Sequence, residues 1–339
     1  MTGYHRKYRN ISRRKFLLTT TGVIAGITTA GLITASCSRK TRQSKPKLAE
    51  IDFIGPEELF QPYHSHFKKF KRTVLHFKTL DEALYTNSDG AVVFLPLAEK
   101  ASVLLMLLEM EKDILTPYPL AKNYEEFDIL QRQSNASDRR IAMLDPLRFW
   151  QPVQSLADYL QDKEDNLKRI ELIINQDTAK EPFIPSADGF TGEAGRLIRL
   201  VSCILKRNFT GIITKSAEHL NILRANNLLD LEVVFEGISM HCMTDSAING
   251  WSVIFSGDNL NLSLNNEGII KGIKDANDKD INAQDTELKT AALTKNIGDF
   301  IKTIRSRKEP GVNSLDGMAV IELNVAALES AGNRDFQST

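Results

Sequence analysis

Apolar and polar positions divide the first half of the chain into short alternating segments. Residues 90–95 (GAVVFL) form a continuous apolar run, which is typical of a parallel strand covered on both faces. Residues 99–111 repeat apolar side chains at helical spacing. The pattern also predicts strands over 48–55, 73–77, 114–116 and 140–144, and helices over 79–84 and 124–133. This alternation predicts a parallel sheet with right-handed crossovers.

The second half has a different pattern. Helices are predicted over 152–161 and 192–206, and strands over 167–175, 231–235, 237–245, 251–256 and 260–265. Gly and Asn in the connections predict an antiparallel meander. The polar segment 274–285 is predicted to be a loop, and two helices over 291–307 and 316–329 end the pattern.

The N-terminus has the layout of an export signal. Arg13 and Arg14 precede a mild apolar stretch, 17–33, which is the twin-arginine form of a secretion signal. The stretch is too short and too rich in Gly and Thr to favour a transmembrane helix. Cys37 ends a segment that resembles a bacterial lipoprotein cleavage box, although Thr34 leaves ordinary cleavage open. We therefore expect a signal over 1–36, a basic tether over 37–47, and an exported protein, periplasmic or tethered to the membrane by lipid on Cys37.

Charge and cysteine content narrow the class of protein. Residues 1–36 hold six basic and no acidic residues, so the remainder has 37 basic and 43 acidic residues and a net charge of −6. This balance does not indicate a nucleic-acid partner. Apart from Cys37, only Cys203 and Cys242 remain, and their apolar surroundings favour two buried thiols over a disulfide.

The order of these segments resembles the Gfo/Idh/MocA family of nicotinamide-dependent sugar oxidoreductases. The strand before Pro96 and the strand before Pro119 match two strand ends of that family at the same spacing, and Arg148-Phe149 and Asp316-Gly317 match later motifs. The resemblance implies an α/β protein with a Rossmann-like parallel sheet over 48–146, here abridged. It also implies a C-terminal α/β domain over 147–331 with a large, mostly antiparallel open sheet, and a tail over 332–339. That sheet often forms a dimer interface in the family, so a homo-oligomer through it is expected.

The cofactor positions depart from the family. The resemblance places cofactor contacts at Gly55, Pro96 and Pro119. A dinucleotide needs a glycine-rich first turn, but here Gly55 is followed by Pro56-Glu57-Glu58, and no acid for the ribose ends the short strand 73–77. Carboxylates at a helix N-terminus repel phosphate. We therefore expect no cofactor, with NAD or NADP only if the protein is an enzyme.

The catalytic positions depart as well. The catalytic lysine of the family falls on Tyr118, a poor base at its ordinary pKa near ~10. The Asp-x-Gly-x-His motif of the family falls on residues 193–197, so its acid is Glu193 and its histidine is Leu197, which cannot accept a proton. Tyr118 is interpreted as the remnant of a catalytic position within a rigid Pro-Tyr-Pro turn. Tyr118 and Glu193 are the one pair considered for chemistry.

The other candidate binding residues are histidines, a cysteine and two arginines, and each has a structural interpretation. His64 and His66 have the spacing of metal ligands but lack a completing set, so two surface histidines are expected. His241 and Cys242 should point to opposite faces of a strand. Arg148 and Arg196 could bind an anion, or form salt bridges on a solvated rim.

Three functions follow from this reading. The first is a non-catalytic binding or assembly protein of the cell envelope, whose partner is an unknown small molecule or envelope protein and whose membrane contact is the lipid anchor. The second is a nicotinamide-dependent oxidoreductase, or an NAD-dependent glycosidase acting on sugars, with a rebuilt site. The third is a carbohydrate-binding lipoprotein that uses the open sheet as a platform. Trp150, Trp251 and Phe149 could stack on sugars there, although core packing explains these rings equally well.

Overall fold

The structure is a computed structural model that describes residues 50–83, 86–161, 163, 166–175, 190–214, 230–245, 247–274, 280–282 and 286–335. All of these lie in one compact unit, Leu48–Thr339. The expected signal arginines, Arg13 and Arg14, and the expected lipidation site, Cys37, lie outside the described residues. Among the described helices, none has the length and apolar character needed to cross a membrane.

The first sheet has five parallel strands in the order β2-β1-β3-β4-β5. In chain order its elements are β1 (Glu50–Ile54), α1 (Glu57–Lys69), β2 (Thr73–Phe77), α2 (Leu80–Ala83), β3 (Gly90–Val93), α3 (Leu97–Glu109), β4 (Asp113–Thr116), α4 (Tyr124–Ser137) and β5 (Ile141–Met143). The predicted parallel sheet is confirmed. β3, β4 and β5 are buried along their whole length, which explains why they read as continuous apolar runs.

The second sheet has eight strands and follows a 3-10 turn at Pro146–Phe149 and helix α5 (Gln151–Gln161). Its elements are β6 (Leu167–Ile174), α6 (Phe190–Leu205), β7 (Phe209–Thr214), β8 (Asp230–Phe235), β9 (Ile238–Thr244), β10 (Trp251–Gly257), β11 (Leu260–Asn265), β12 (Ile269–Lys274) and β13 (Asp280–Asn282). The strand order is β13-β12-β11-β10-β6-β9-β8-β7, and β6 with β9 is its one parallel pair in the described part. The predicted open, mostly antiparallel sheet is confirmed.

Two details of the predicted second sheet are wrong. The strands do not form a simple meander, because β6 lies between β9 and β10. The predicted loop 274–285 contains the strand β13, which the pattern missed because this short edge strand is polar. β7 and β12 were not predicted either.

Two helices follow the second sheet, α7 (Thr286–Ser306) and α8 (Ser314–Asp335). α7 packs on the first sheet: Ile297, Phe300 and Ile304 belong to the same core as Ile51 and Phe53 of β1. The second sheet buries one face, as in β10, where Trp251, Val253 and Phe255 are buried while the alternating residues are partly exposed. The first sheet is covered on both faces, because a second core packs on its other side. Its carboxyl edge contacts the second half of the molecule.

Candidate functional site

The candidate site lies at the carboxyl edge of the parallel sheet, where dinucleotide-binding folds hold their ligands. Gly55 follows β1, Tyr118 follows β4 and Asp145 follows β5. The 3-10 turn, α6 and the start of α8 bring Arg148, Arg196 and Asp316 to the same region. The structure therefore brings the motifs around Tyr118, Arg148 and Asp316 close together.

Gly55 is required by close packing. A Cβ at this position would lie 2.7 Å from the carbonyl oxygen of Phe94, and the residue has φ +152°. Its N–H donates to the carbonyl of Phe77 at 3.0 Å. The glycine lets the end of β1 approach the chain that leaves β3, so its presence does not by itself indicate a phosphate site.

His76 forms a clasp of side-chain contacts beside the N-terminus of α1. His76 Nε2 donates to the carbonyl oxygen of Gly55 at 2.8 Å, and His76 Nδ1 lies 2.6 Å from Glu57 Oε2. The imidazole also stacks on Phe60, with ring centroids 4.9 Å apart. His76 thus ties β2, the turn after β1 and the first residue of α1 together.

This arrangement does not fit a dinucleotide. A pyrophosphate is held by free N–H groups and the positive end of the helix dipole. Here Glu57 and Glu58 occupy the first turn of α1, and β2 carries His76 and Phe77 at its carboxyl end instead of an acid for the ribose. The described residues thus oppose the negative charge of a nicotinamide cofactor where its phosphates would approach.

The Pro-Tyr-Pro turn after β4 is held by a buried lysine that the sequence did not single out. Lys100 of α3 is 2% exposed, and its Nζ donates to the carbonyl oxygens of Pro117 at 3.2 Å and Pro119 at 2.9 Å. The Tyr118-Pro119 peptide bond is cis. In the sequence Lys100 is an isolated lysine in the first turns of α3, and nothing beside it indicated that it would bind this turn.

Tyr118 is buried within this turn and is 2% exposed. Its hydroxyl has no hydrogen-bond partner among the described residues. Burial, with the nearby carboxylates of Asp145 and Asp316, raises the pKa of Tyr118 well above its ordinary value. A phenol in this setting stays neutral and cannot serve as a base.

The other two catalytic positions lie on α6. Leu197 is fully buried in the core of the second half. Glu193 belongs to α6, but its side chain lies outside the described part, so the predicted pairing of Tyr118 with Glu193 stays a prediction. Leu197 itself cannot accept a proton at the position where the family has histidine.

Buried ion pairs join the two halves of the molecule. Asp316 Oδ1 accepts from Arg148 at 3.1 Å and from Arg199 at 2.7 Å, and Arg196 lies 3.7 Å from Asp145. Burial alone would raise the pKa of Asp316, but Arg148 and Arg199 together hold it below its usual value. The expected salt bridges are confirmed, yet their place on a solvated rim is wrong: the side chains of Arg148, Arg196 and Asp316 are 22%, 5% and 8% exposed. Sequence reasoning missed Arg199 and Asp145, because only the fold brings them to this cluster.

The remaining candidates lie elsewhere or in the cores. His66 is buried rather than on the surface, because its Nδ1 bonds Thr294 Oγ1 at 2.8 Å across α7, while His64 stacks on Phe60. Among the described residues no group of His, Cys, Asp and Glu could hold a metal ion. Cys203 and Cys242 are free thiols, and burial raises the pKa of both.

The tryptophans expected to stack on sugars are not available for that role. Trp150 and Trp251 are each 1% exposed and belong to the core of the second half. Phe149 packs against the same core. The expectation of an aromatic sugar platform built on these three residues is therefore wrong, because their rings are used for packing.

Comparison with known proteins gives a likeness of fold. No protein-family model matches the sequence, and no curated protein matches it. Solved structures do match. A dehydrogenase (MviM) from Clostridium difficile is 12% identical with a TM-score of 0.64, covering 84% of this chain and 100% of its own. Myo-inositol 2-dehydrogenase from Lactobacillus plantarum is 13% identical with a TM-score of 0.62, covering 84% and 98%.

A third structure in this set contains ligands. Scyllo-inositol dehydrogenase from Lactobacillus casei, solved with NAD(H) and scyllo-inositol, is 12% identical with a TM-score of 0.60, covering 84% of this chain and 97% of its own. The matches span nearly the whole length of these dehydrogenases and both sheets of this chain. The chain therefore has the two-domain fold of the Gfo/Idh/MocA-type dehydrogenases.

Proposed function

We propose that this protein is a non-catalytic member of the dehydrogenase fold, exported and tethered to the cell envelope, where it acts as a binding or assembly component. The observation that carries the proposal is the clasp at the N-terminus of α1. His76 donates to Gly55 and lies beside Glu57 there, so a carboxylate paired with His76 stands in the first helical turn, where a pyrophosphate would have to approach.

The positions of proton transfer support the same conclusion. The lysine position is a buried tyrosine whose pKa is raised by burial, and the histidine position is a buried leucine. A dehydrogenase must remove a proton from the alcohol as hydride leaves, so at least one acid–base group is needed. Neither position offers a proton acceptor, and the acidic first turn of α1 is a separate departure, so two independent features argue against the reaction.

The scaffold itself is well kept. Asp316, at the start of α8, pairs with Arg148 of the 3-10 turn and Arg199 of α6, and Lys100 secures the turn that holds Tyr118. Each of these buried charges has a partner, and removing one partner of a buried pair is strongly destabilising. The retained scaffold supports a binding or assembly role, with a small molecule or an envelope protein as partner.

The export part of the proposal rests on the sequence. The Arg13-Arg14 signal and the Cys37 box would place the folded protein outside the cytoplasmic membrane, held by lipid on Cys37. Mass spectrometry of the protein from membranes tests this directly. An acylated N-terminal Cys37 supports it, and a mature N-terminus at any other residue contradicts the lipid anchor.

The alternative is an enzyme that holds NAD or NADP in a rebuilt site. Scyllo-inositol dehydrogenase was solved with NAD(H), and the Tyr118 hydroxyl has no partner among the described residues, so it could donate to a ligand. Such an enzyme would need a tightly held cofactor, since free nicotinamide cofactor is scarce outside the cytoplasm.

Calorimetric titration with NAD(H) and NADP(H) separates the two. We expect no heat of binding and no rise in melting temperature, whereas a ligand at 100 times its Kd would stabilise the fold by about 2.7 kcal/mol. The absorbance spectrum of the untreated protein controls for a cofactor that is already bound, because a reduced nicotinamide absorbs in the near ultraviolet. Binding of either cofactor at physiological concentration would overturn the proposal.

A further inference from the structure

Positive charge is concentrated where α1 ends and β2 begins. Residues 68–78 (KKFKRTVLHFK) contain five basic residues and no acidic one. Lys68, Lys69 and Lys71 are exposed, and Arg72 is 6% exposed. The acidic residues of α1, Glu57 and Glu58, lie at its opposite end. One end of this helix is therefore strongly basic.

Helix α7 adds to this charge. Thr294 receives hydrogen bonds or contacts from His66 and Lys69, and the aromatic ring of Phe70 lies against Gly298, so α7 runs beside the end of α1. Further along the same side of α7, Lys302 and Arg305 are exposed. We call the six residues that the two segments contribute the basic patch: Lys68, Lys69, Lys71, Arg72, Lys302 and Arg305.

The basic patch is unpaired. In the described part of the chain none of its six residues takes part in an ion pair. By contrast, Arg139, Arg140 and Arg307, which lie near the starts of β4 and β5, all have carboxylate partners.

Within the basic patch, Arg72 shows most clearly that a positive group lacks a partner among the described residues. Its Nε is buried without a hydrogen-bond partner. Burial and the neighbouring charge of Arg305 lower the pKa of Arg72, with Asp89 acting in the opposite direction. Two guanidinium groups close enough to oppose each other form a favourable place for an anion.

The first strand of the fold, β1, begins beside the basic patch. Glu50 begins β1 and is in register with Thr73, the residue after Arg72. The preceding segment, 38–47, is also basic and carries no acidic residue. From Cys37 to Glu50 the chain can span at most about 45 Å, so a lipid on Cys37 would keep the basic patch near the membrane.

We propose that the basic patch binds the anionic phospholipid surface of the membrane to which the protein is tethered, and so sets the orientation of the fold on that membrane. A lipid on Cys37 would hold the chain at the membrane without fixing the orientation of the fold, whereas a polybasic surface adds electrostatic attraction to anionic lipids. The inference rests on the proposed envelope location. It does not depend on whether a nicotinamide cofactor binds.

The test uses unlipidated protein, so that the charges act without the anchor. Chains that begin at Ser38 and at Leu48 are mixed with vesicles of phosphatidylcholine alone or of phosphatidylcholine with phosphatidylglycerol, and sedimentation measures the bound fraction. The chain from Leu48 contains the whole compact unit and isolates the basic patch from the tether. We expect both chains to bind the anionic vesicles, to release as salt is raised, and to ignore the neutral ones.

The variant K68Q/K302Q/R305Q removes three exposed charges of the basic patch. Its affinity for anionic vesicles should fall on the order of 100-fold. The matched control, K122Q/K206Q/K271Q, removes the same charge from other exposed lysines and should change affinity by less than about threefold. R305K should keep binding, because it keeps the charge.

The inference is overturned by any of three results. These are equal binding of the parent and the patch variant, equal loss in the control variant, and equal binding to neutral vesicles. Binding of NAD(H) would leave these measurements unchanged, so failure of the membrane surface and failure of the proposed function can be told apart.

Discussion

Removing the hydroxyl of Tyr118 tests whether the old catalytic position still carries a polar function. The side chain is 2% exposed and its hydroxyl has no hydrogen-bond partner among the described residues. A buried, unsatisfied hydroxyl costs about 1–3 kcal/mol. Y118F leaves a void smaller than a methyl group, which costs up to about 1 kcal/mol. We therefore expect the free energy of unfolding to rise by about 1 kcal/mol.

Thr116, two residues earlier on β4, provides the control. It is also fully buried, but its Oγ1 donates to the carbonyl oxygen of Val93 at 3.0 Å. T116V keeps the shape and removes a satisfied bond, so the free energy of unfolding should fall by about 1 kcal/mol. The two variants should thus move in opposite directions.

Urea unfolding followed by circular dichroism measures both. With an unchanged slope, a higher midpoint for Y118F and a lower one for T116V confirm the reasoning. If Y118F loses 1 kcal/mol or more, the hydroxyl has a partner in the folded protein, and the neutral, unused phenol inferred here is wrong. Tyr118 would then return as a candidate ligand-binding residue.

Two further predictions concern the same edge of the sheet. The pKa of Asp316 is lowered in the fold, so its ionised form stabilises the protein above its ordinary pKa of about 3.9 and that contribution is lost as pH falls through the lower folded value. D316N should therefore cost about 3 kcal/mol at pH 7, and the gap to the parent should close as pH falls below the ordinary carboxyl pKa. D258N, in an exposed pair with Lys168, should cost less than about 0.5 kcal/mol. A gap independent of pH would contradict the assignment. G55A should lower the free energy of unfolding by about 1–3 kcal/mol, because the new Cβ would lie 2.7 Å from Phe94. G211A, where a Cβ meets nothing within 4 Å, should change it by less than about 0.5 kcal/mol. Equal thermal unfolding of the two variants would refute the packing role of Gly55.

The class of fold, and the residue types at the positions that match the family's motifs, could be recognised without coordinates. Continuous apolar runs such as 90–95 occur because β3 is buried on both faces, and alternation in β10 occurs because its sheet buries one face, so both sheet types could be predicted locally. Leu197 cannot accept a proton in any structure. The acidic pair after Gly55 also needed no coordinates to be recognised as unfavourable for phosphate.

How the residues of the site interact depends on contacts between distant parts of the chain. His76, Lys100 and Arg199 carry no local signal, because their partners lie far away in sequence: Gly55 for His76, the prolines of the β4 turn for Lys100, and Asp316 for Arg199. The strand order also depends on long-range pairing, which is why β6 between β9 and β10 and the polar strand β13 were not predicted. Burial is a property of the packed chain as well. It placed His66, which was expected on the surface, in the interior, and it decided between sugar stacking and core packing for Trp251. A local sequence pattern indicates only the average burial of a segment. The contacts that build this site form only when segments distant in the sequence pack together.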